Sequence, residues 1–237
     1  NKYKISKDYV QSLLNEEIKT VDGTIRNTSK MRAVLKSISR NISTNVSKST
    51  ILEDVKTEFA SEVSRPTLDD YLNTLEKLYI LEYIPATNLN LRSKTPLRVS
   101  PKLELVDPSI VIATLNLKRE DLINDLNFTG FIFENMCMRD LKIYADAIDA
   151  RLSYYRDKNN FEVDCILETA DGKWGAIEIK LGAGEIPDAV SNLTKFKENV
   201  DTDKYKEPSF LMVLTGADYS YKRDDGIYVV SIGTLKD

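Results

Sequence analysis

Near residue 150 the spacing of apolar residues changes from a helical to a strand period, and this switch constrains the fold more than any other feature. Before it, apolar side chains recur on single helical faces. Residues 7–20 align Tyr9, Leu13, Leu14 and Ile18. Residues 28–44 align Met31, Val34, Leu35, Ile38 and Ile42, and residues 48–60 align Ile51, Leu52, Val55 and Phe59. Ser64 suits an N-cap and Pro66 a first helical turn, which predicts a further helix burying Leu68, Tyr71, Leu72, Leu75 and Leu78. The stretch from Tyr79 to Val106 is broken by Pro85, Pro96 and Pro101 and reads as a β-hairpin.

Helix, helix, helix and hairpin is the order of a winged helix-turn-helix domain, assigned to residues 1–107. Asp107-Pro108 predicts a new helix start, and residues 129–145 a longer helix. Strands are expected over 153–156, 161–167 and 174–181, linked by the turns Asp157–Asn160 and Asp171-Gly172. A helix over 187–199 and strands over 209–214 and 226–230 follow. The expected class is therefore α+β, with an α/β domain around a mixed sheet over residues 108–237.

Composition narrows the chemistry. There is no histidine, which excludes Ser-His-Asp triads, Cys-His pairs and histidine zinc sites. No Gly-x-x-x-x-Gly-Lys-Ser/Thr loop occurs, so this chain carries no ATPase site. Neither a signal peptide nor an apolar run long enough to span a bilayer is present, and Cys137 and Cys165 sit in apolar runs as buried thiols do. These readings predict a cytoplasmic protein with no membrane partner. Residues 1–120 carry 19 Lys and Arg against 15 Asp and Glu, and residues 121–237 carry 14 against 22. Nucleic acid is attracted to the first part and repelled by the second unless cations fill a carboxylate site there.

Such a site is visible in the pattern. The strand FEVDCIL presents Asp164, and GAIEIKL presents Glu178 and Lys180 two residues apart, hence on one sheet face. A tight hairpin brings Asp164 beside Glu178. Two carboxylates from neighbouring strands suit Mg²⁺ or Mn²⁺, with the lysine serving an attacking water or the charge on a phosphate. Glu134 on the preceding helix falls at the rim of the apolar stripe.

Asp164 followed by Glu178-Ile179-Lys180, after a Glu-bearing helix, resembles the PD-(D/E)XK nuclease superfamily, with Val163 where that signature has proline. The resemblance implies a restriction-endonuclease-like fold, with Asp164 and Glu178 as metal ligands, Lys180 as catalytic lysine and Glu134 as accessory carboxylate. From about Lys7 to the end, segments such as STILEDVKTEF, GFIFENMCMRDL and YYRDKNNFEVDCILE are similar to the C-terminal region of a group of prokaryotic AAA-type ATPases. There a nucleotide-binding domain precedes a winged helix and a nuclease-like domain of unknown function. The start at Asn1 rather than Met fits a piece of a longer protein, with the ATPase domain as its implied partner.

Two functional readings stay open on the sequence. One is an endonuclease or phosphodiesterase module, or a degenerate relative that still binds DNA. The other is a non-catalytic regulatory and oligomerisation module of an ATPase. For DNA, the helix at Ser64–Glu82 is net acidic, whereas the hairpin carries Arg92, Lys94, Arg98 and Lys102. Tyr154 and Tyr155 suit base stacking or strand packing, and Arg156 suits a phosphate or Glu162.

Overall fold

The computed structural model describes residues 2–18, 21–59, 62–87, 100–201 and 205–236. The first helix, α1 (Lys2–Ser12), widens into a π-helical turn over Leu13–Glu17. Then come α2 (Thr28–Arg40), α3 (Lys48–Phe59) and α4 (Arg65–Lys77). Local chemistry sets their starts: Asn27 caps α2 by accepting from Lys30 N at 3.0 Å, and Ser64 caps α4 by accepting from Thr67 N at 3.3 Å. Most of the expected stripe residues are buried, with Leu13, Met31, Val34, Leu35, Ile51, Val55, Leu68, Leu72 and Leu75 essentially inaccessible, whereas Tyr9 is 43% exposed and the Phe59 side chain lies outside the described residues.

Two acidic residues of α4, Asp69 and Asp70, are paired within the fold. Asp69 pairs with Lys48 at 2.6 Å. Asp70 receives two bonds of 2.8 Å from the guanidinium of Arg26, which also holds Asp22 at 2.7 Å. The Arg26 side chain is 3% exposed, so this fork ties the segment before α2 to α4 from inside.

A two-stranded sheet of β1 (Leu81–Ile84) and β2 (Lys102–Leu105) occupies the place of the expected hairpin. Arg92, Lys94 and Arg98 lie outside the described residues. Asp107 caps α5 (Pro108–Leu115) by accepting from Ser109 N at 2.7 Å. A short α6 (Arg119–Asn124), which the periodicity did not predict, leads into α7 (Leu126–Ala147). Among the described residues no helix is long and apolar enough to cross a membrane.

The chain divides into two compact units: residues 1–83 with 102–135, and residues 84–101 with 136–237. The helical unit thus runs past the expected limit at 107. Ile110, Val111 and Ile132 explain this, because they are buried in the same core as the first four helices.

The second unit is built on a six-stranded mixed sheet in the order β3-β4-β5-β6-β8-β7. Its strands are β3 (Ala150–Arg156), β4 (Glu162–Thr169), β5 (Trp174–Lys180), β6 (Phe210–Thr215), β7 (Tyr221–Lys222) and β8 (Tyr228–Ser231). β3, β4 and β5 form an antiparallel meander, and β6 and β8 then add in parallel. Asn160 and Gly172 supply the left-handed residues of the two hairpin turns, at φ 62° and 75°. α8 (Ile186–Asn199) lays Ala189, Leu193 and Phe196 over Trp174, Ala176 and Val213. Trp174 Nε1 donates to Lys206 O at 2.8 Å. The cysteines are buried thiols, as expected.

Charge is also buried in the first unit. On β2, Lys102 and Glu104 are 2% and 3% exposed. Lys102 Nζ donates to Glu134 on α7 at 3.1 Å. Glu104 Oε2 accepts from Ser43 Oγ at 3.1 Å and Asn135 Nδ2 at 2.8 Å, whereas Oε1 has no partner among the described residues. Burial raises the Glu104 carboxyl to about 7, against the opposing pull of Lys102 and the two donors. A carboxyl raised on folding costs nothing below its unfolded value and destabilises as pH rises through the folded value. Wild-type stability should therefore fall between about pH 5 and 8. Glu104→Gln should flatten that fall and leave the protein more stable than wild type at pH 8, read from urea melts across the range. A profile identical to wild type would show Glu104 to be ionised throughout.

Candidate metal centre

The backbone pairing of β4 with β5 ends at Cys165 opposite Ile177. Continuing the register by one residue would set Asp164 opposite Glu178. There the ladder gives way to a side chain: Asp164 Oδ2 accepts the Ile179 backbone amide at 2.7 Å. Asp164 is thereby fixed by the neighbouring strand and not by its own rotamer preferences.

Glu178 lies on the sheet face covered by α8 and is 3% exposed. It survives there because its oxygens are matched. Oε1 accepts from Asn192 Nδ2 at 2.6 Å, and Oε2 receives Lys180 Nζ at 2.8 Å. Lys180 Nζ is also 3.4 Å from Asp164 Oδ2. Burial first, and the Asp164 charge second, hold the Glu178 carboxyl above the ordinary carboxylate range, opposed by Lys180 and Asn192.

Asp164, Glu178 and Lys180 thus converge as the sequence pattern predicts. Glu134 belongs to the other compact unit, where Lys102 engages it. Lys102 itself, expected as a surface phosphate contact, is a buried lysine with its ammonium against Glu134, on a strand whose four residues are all buried. Tyr154 is fully buried and Tyr155 packs tilted on Phe196 with centroids 5.0 Å apart, which is the strand-packing alternative. Arg156 pairs with Glu162 at 3.2 Å.

Asn192 was not singled out by the sequence reasoning. It lies three residues after Ala189 and four before Phe196, on the buried stripe of α8, so a polar residue on an apolar face was the available signal. Its amide also donates to Glu162 O at 2.7 Å, tying α8 to both β4 and β5.

The donor set suits a hard cation. Both groups that face Lys180 are carboxylates, and an ammonium already lies within contact distance of both. No group of three or more His, Cys, Asp or Glu side chains is arranged for a metal among the described residues. Two protein carboxylates, with water and substrate oxygens completing the shell, is the manner in which Mg²⁺ is commonly bound.

Comparison with known families sets this geometry in context. The family described as Domain of unknown function (DUF8612) matches residues 1–121, just over half of the 237 residues. The chain belongs to that family. Residues 129–235, which hold the sheet and the carboxylate site, match a second one, Domain of unknown function (DUF4143). No curated protein and no solved structure matches the chain.

Removing the Asn192 amide leaves Glu178 Oε1 buried without its donor. Asn192→Ala should therefore destabilise the protein by about 1–3 kcal/mol, measured by urea unfolding. Glu198→Ala, on the exposed face of the same helix, should change stability by less than about 0.5 kcal/mol. Equal effects at the two positions would deny Asn192 its role in holding Glu178.

Proposed function

We propose that this chain is a DNA-associated, Mg²⁺-dependent nuclease-like module that hydrolyses phosphodiesters, and that it forms the C-terminal part of an ATPase. The observation that carries the reading is the convergence of two carboxylates from adjacent strands on one lysine ammonium, at 2.8 and 3.4 Å. The element order supports it. α7, the meander β3-β4-β5, α8 and parallel β6 follow one another as in the PD-(D/E)XK superfamily that the sequence resembles. α2, α3, α4 and the β1-β2 pair follow the order of a winged helix. The ATPase context rests on the sequence resemblance and on the DUF4143 match, an AAA-ATPase-associated C-terminal domain.

In this mechanism Asp164 and Glu178 hold the cation. A cation held there would supply Lewis-acid chemistry to the phosphate and to a nucleophilic water. Ile179 N and Asn192 fix the two carboxylates, so little reorganisation is needed on loading. Lys180, the most exposed of the three at 24%, steadies charge on the phosphate oxygens or orients the attacking water.

DNA contact would come from the basic segment carrying Arg92, Lys94 and Arg98. Its flanks meet at one residue of β3: Pro85 O accepts from Tyr154 N at 3.0 Å, Thr87 N donates to Tyr154 O at 2.7 Å, and Tyr154 Oη donates to Ser100 O at 2.6 Å. These bonds hold residues 85–87 and Ser100 on β3, in the sheet that holds the carboxylates. A second reading, a non-catalytic regulatory and oligomerisation module, is favoured by the commitment of Glu134 and Lys102 to each other.

Melting in Mg²⁺ or Mn²⁺ separates the readings. Wild type should melt higher with millimolar cation, since a ligand bound only by the folded state stabilises it. Asp164→Asn and Glu178→Gln should lose the gain while folding normally. A wild type indifferent to Mn²⁺, with no cleavage of duplex or single-stranded DNA, would overturn the nuclease reading. Metal-dependent melting without cleavage, even with the ATPase domain present, would favour the second.

Affinity for DNA should fall steeply with added salt, because the contacts go to phosphate. Reversing the charges at Arg92, Lys94 and Arg98 together should abolish it, read by fluorescence anisotropy. Unchanged affinity in that variant would remove this segment from the interface.

A further inference from the structure

We infer that Lys180 is the resident cation of the carboxylate pair, competing with a divalent ion for the same place and so setting how readily the site loads. This rests on the reading of Asp164 and Glu178 as metal ligands and adds a regulatory role to the lysine. Lys180 Nζ contacts Glu178 Oε2 at 2.8 Å and Asp164 Oδ2 at 3.4 Å, so the ammonium occupies the space between the two carboxylates where a cation would bind. With one ammonium against two carboxylates, the pair keeps at most a single net negative charge to attract an incoming ion.

The two kinds of group are held differently. Asp164 and Glu178 are 13% and 3% exposed and are held by Ile179 N, on the Asp164 Oδ2 that the lysine also approaches, and by Asn192 Nδ2 on Glu178 Oε1, donors that do not depend on the lysine. Lys180 is 24% exposed, at the last residue of β5, on a flexible four-carbon stem that can turn its head to water. Loading therefore moves the lysine and leaves the carboxylates in place. Both ions carry positive charge at contact distance, so each lowers the other's occupancy. By linkage, whatever anion draws the ammonium outward strengthens metal binding by the same factor that the metal strengthens its own.

The test is Mn²⁺ affinity, measured on the whole chain by electron paramagnetic resonance of free Mn²⁺, for wild type, Lys180→Met and Lys180→Gln. Both variants should bind Mn²⁺ at least about tenfold more tightly than wild type. They should also melt lower than wild type without metal and recover with it, because the two carboxylates lose their counter-charge. The gain should be absent when Glu178→Gln is added to Lys180→Met. Wild type binding Mn²⁺ and both lysine variants binding it no more tightly would overturn the inference while leaving the metal site standing. Absence of Mn²⁺ binding in all three folded proteins would overturn the inference and the metal reading together.

Discussion

Burying Glu178 is the constraint around which the second unit is arranged. An ionised carboxylate at 3% exposure is tolerable only if its oxygens are hydrogen-bonded and its charge is opposed. The chain meets the first need with Asn192 from α8 and the second with Lys180 from the same strand. That fixes the register of α8 on the sheet, since Asn192 must reach both Glu178 and the Glu162 carbonyl. It also fixes the local break in the β4-β5 ladder, where Asp164 takes the Ile179 amide. A purely structural sheet would gain more from apolar residues at these positions, because replacing buried ion pairs by well-packed hydrocarbon is commonly neutral or stabilising. The cost makes sense if the charges are used.

The first unit holds buried charge too, but of another kind. Lys102 and Glu134 neutralise one another within a single layer between β2 and α7. Glu104 is bound by Ser43 and Asn135, and burial raises its carboxyl to about 7, so near neutrality it is poised between its acid and its anion. There the partners come from the two sides of a closed interior, with Lys102 only 2% exposed. Burial alone therefore does not mark a site. Two carboxylates also converge on one cation at Arg26; what differs at Asp164 and Glu178 is that the shared cation is a partly exposed lysine and not a buried guanidinium.

Most of the fold was legible because it rests on periodicity and local chemistry. The helical stripes from Met31 to Leu75, the caps at Ser64 and Asp107, and the strands around Cys165 and Ile177 all lie where spacing placed them. α6 and β7 were not legible: one is six residues and the other two, shorter than any period can report. The extension of the first compact unit past 107 has a different origin. Asp107-Pro108 is a true helix start, but where α5 buries Ile110 and Val111 is a tertiary fact that no local signal carries. Of the site, the strand residues were legible because alternation fixes their face. Lys102 was misplaced because a lysine on a hairpin is ordinarily read as solvated, and only its buried partner Glu134 reverses that.

Tyr154 shows how a single packing residue redirects the reading of a surface. From sequence it offered a ring for base stacking. In the fold its ring is buried, while its backbone N–H and C=O hold residues 85–87 as an added strand contact on β3 and its hydroxyl holds the carbonyl of Ser100. Residues 85–87 and Ser100 therefore both meet β3 at Tyr154, two strands from β5 in the order β3-β4-β5. The carboxylates on β4 and β5 are opposed by Lys180, at 3.4 and 2.8 Å, so the acidic second part of the chain does not present them as bare negative charge.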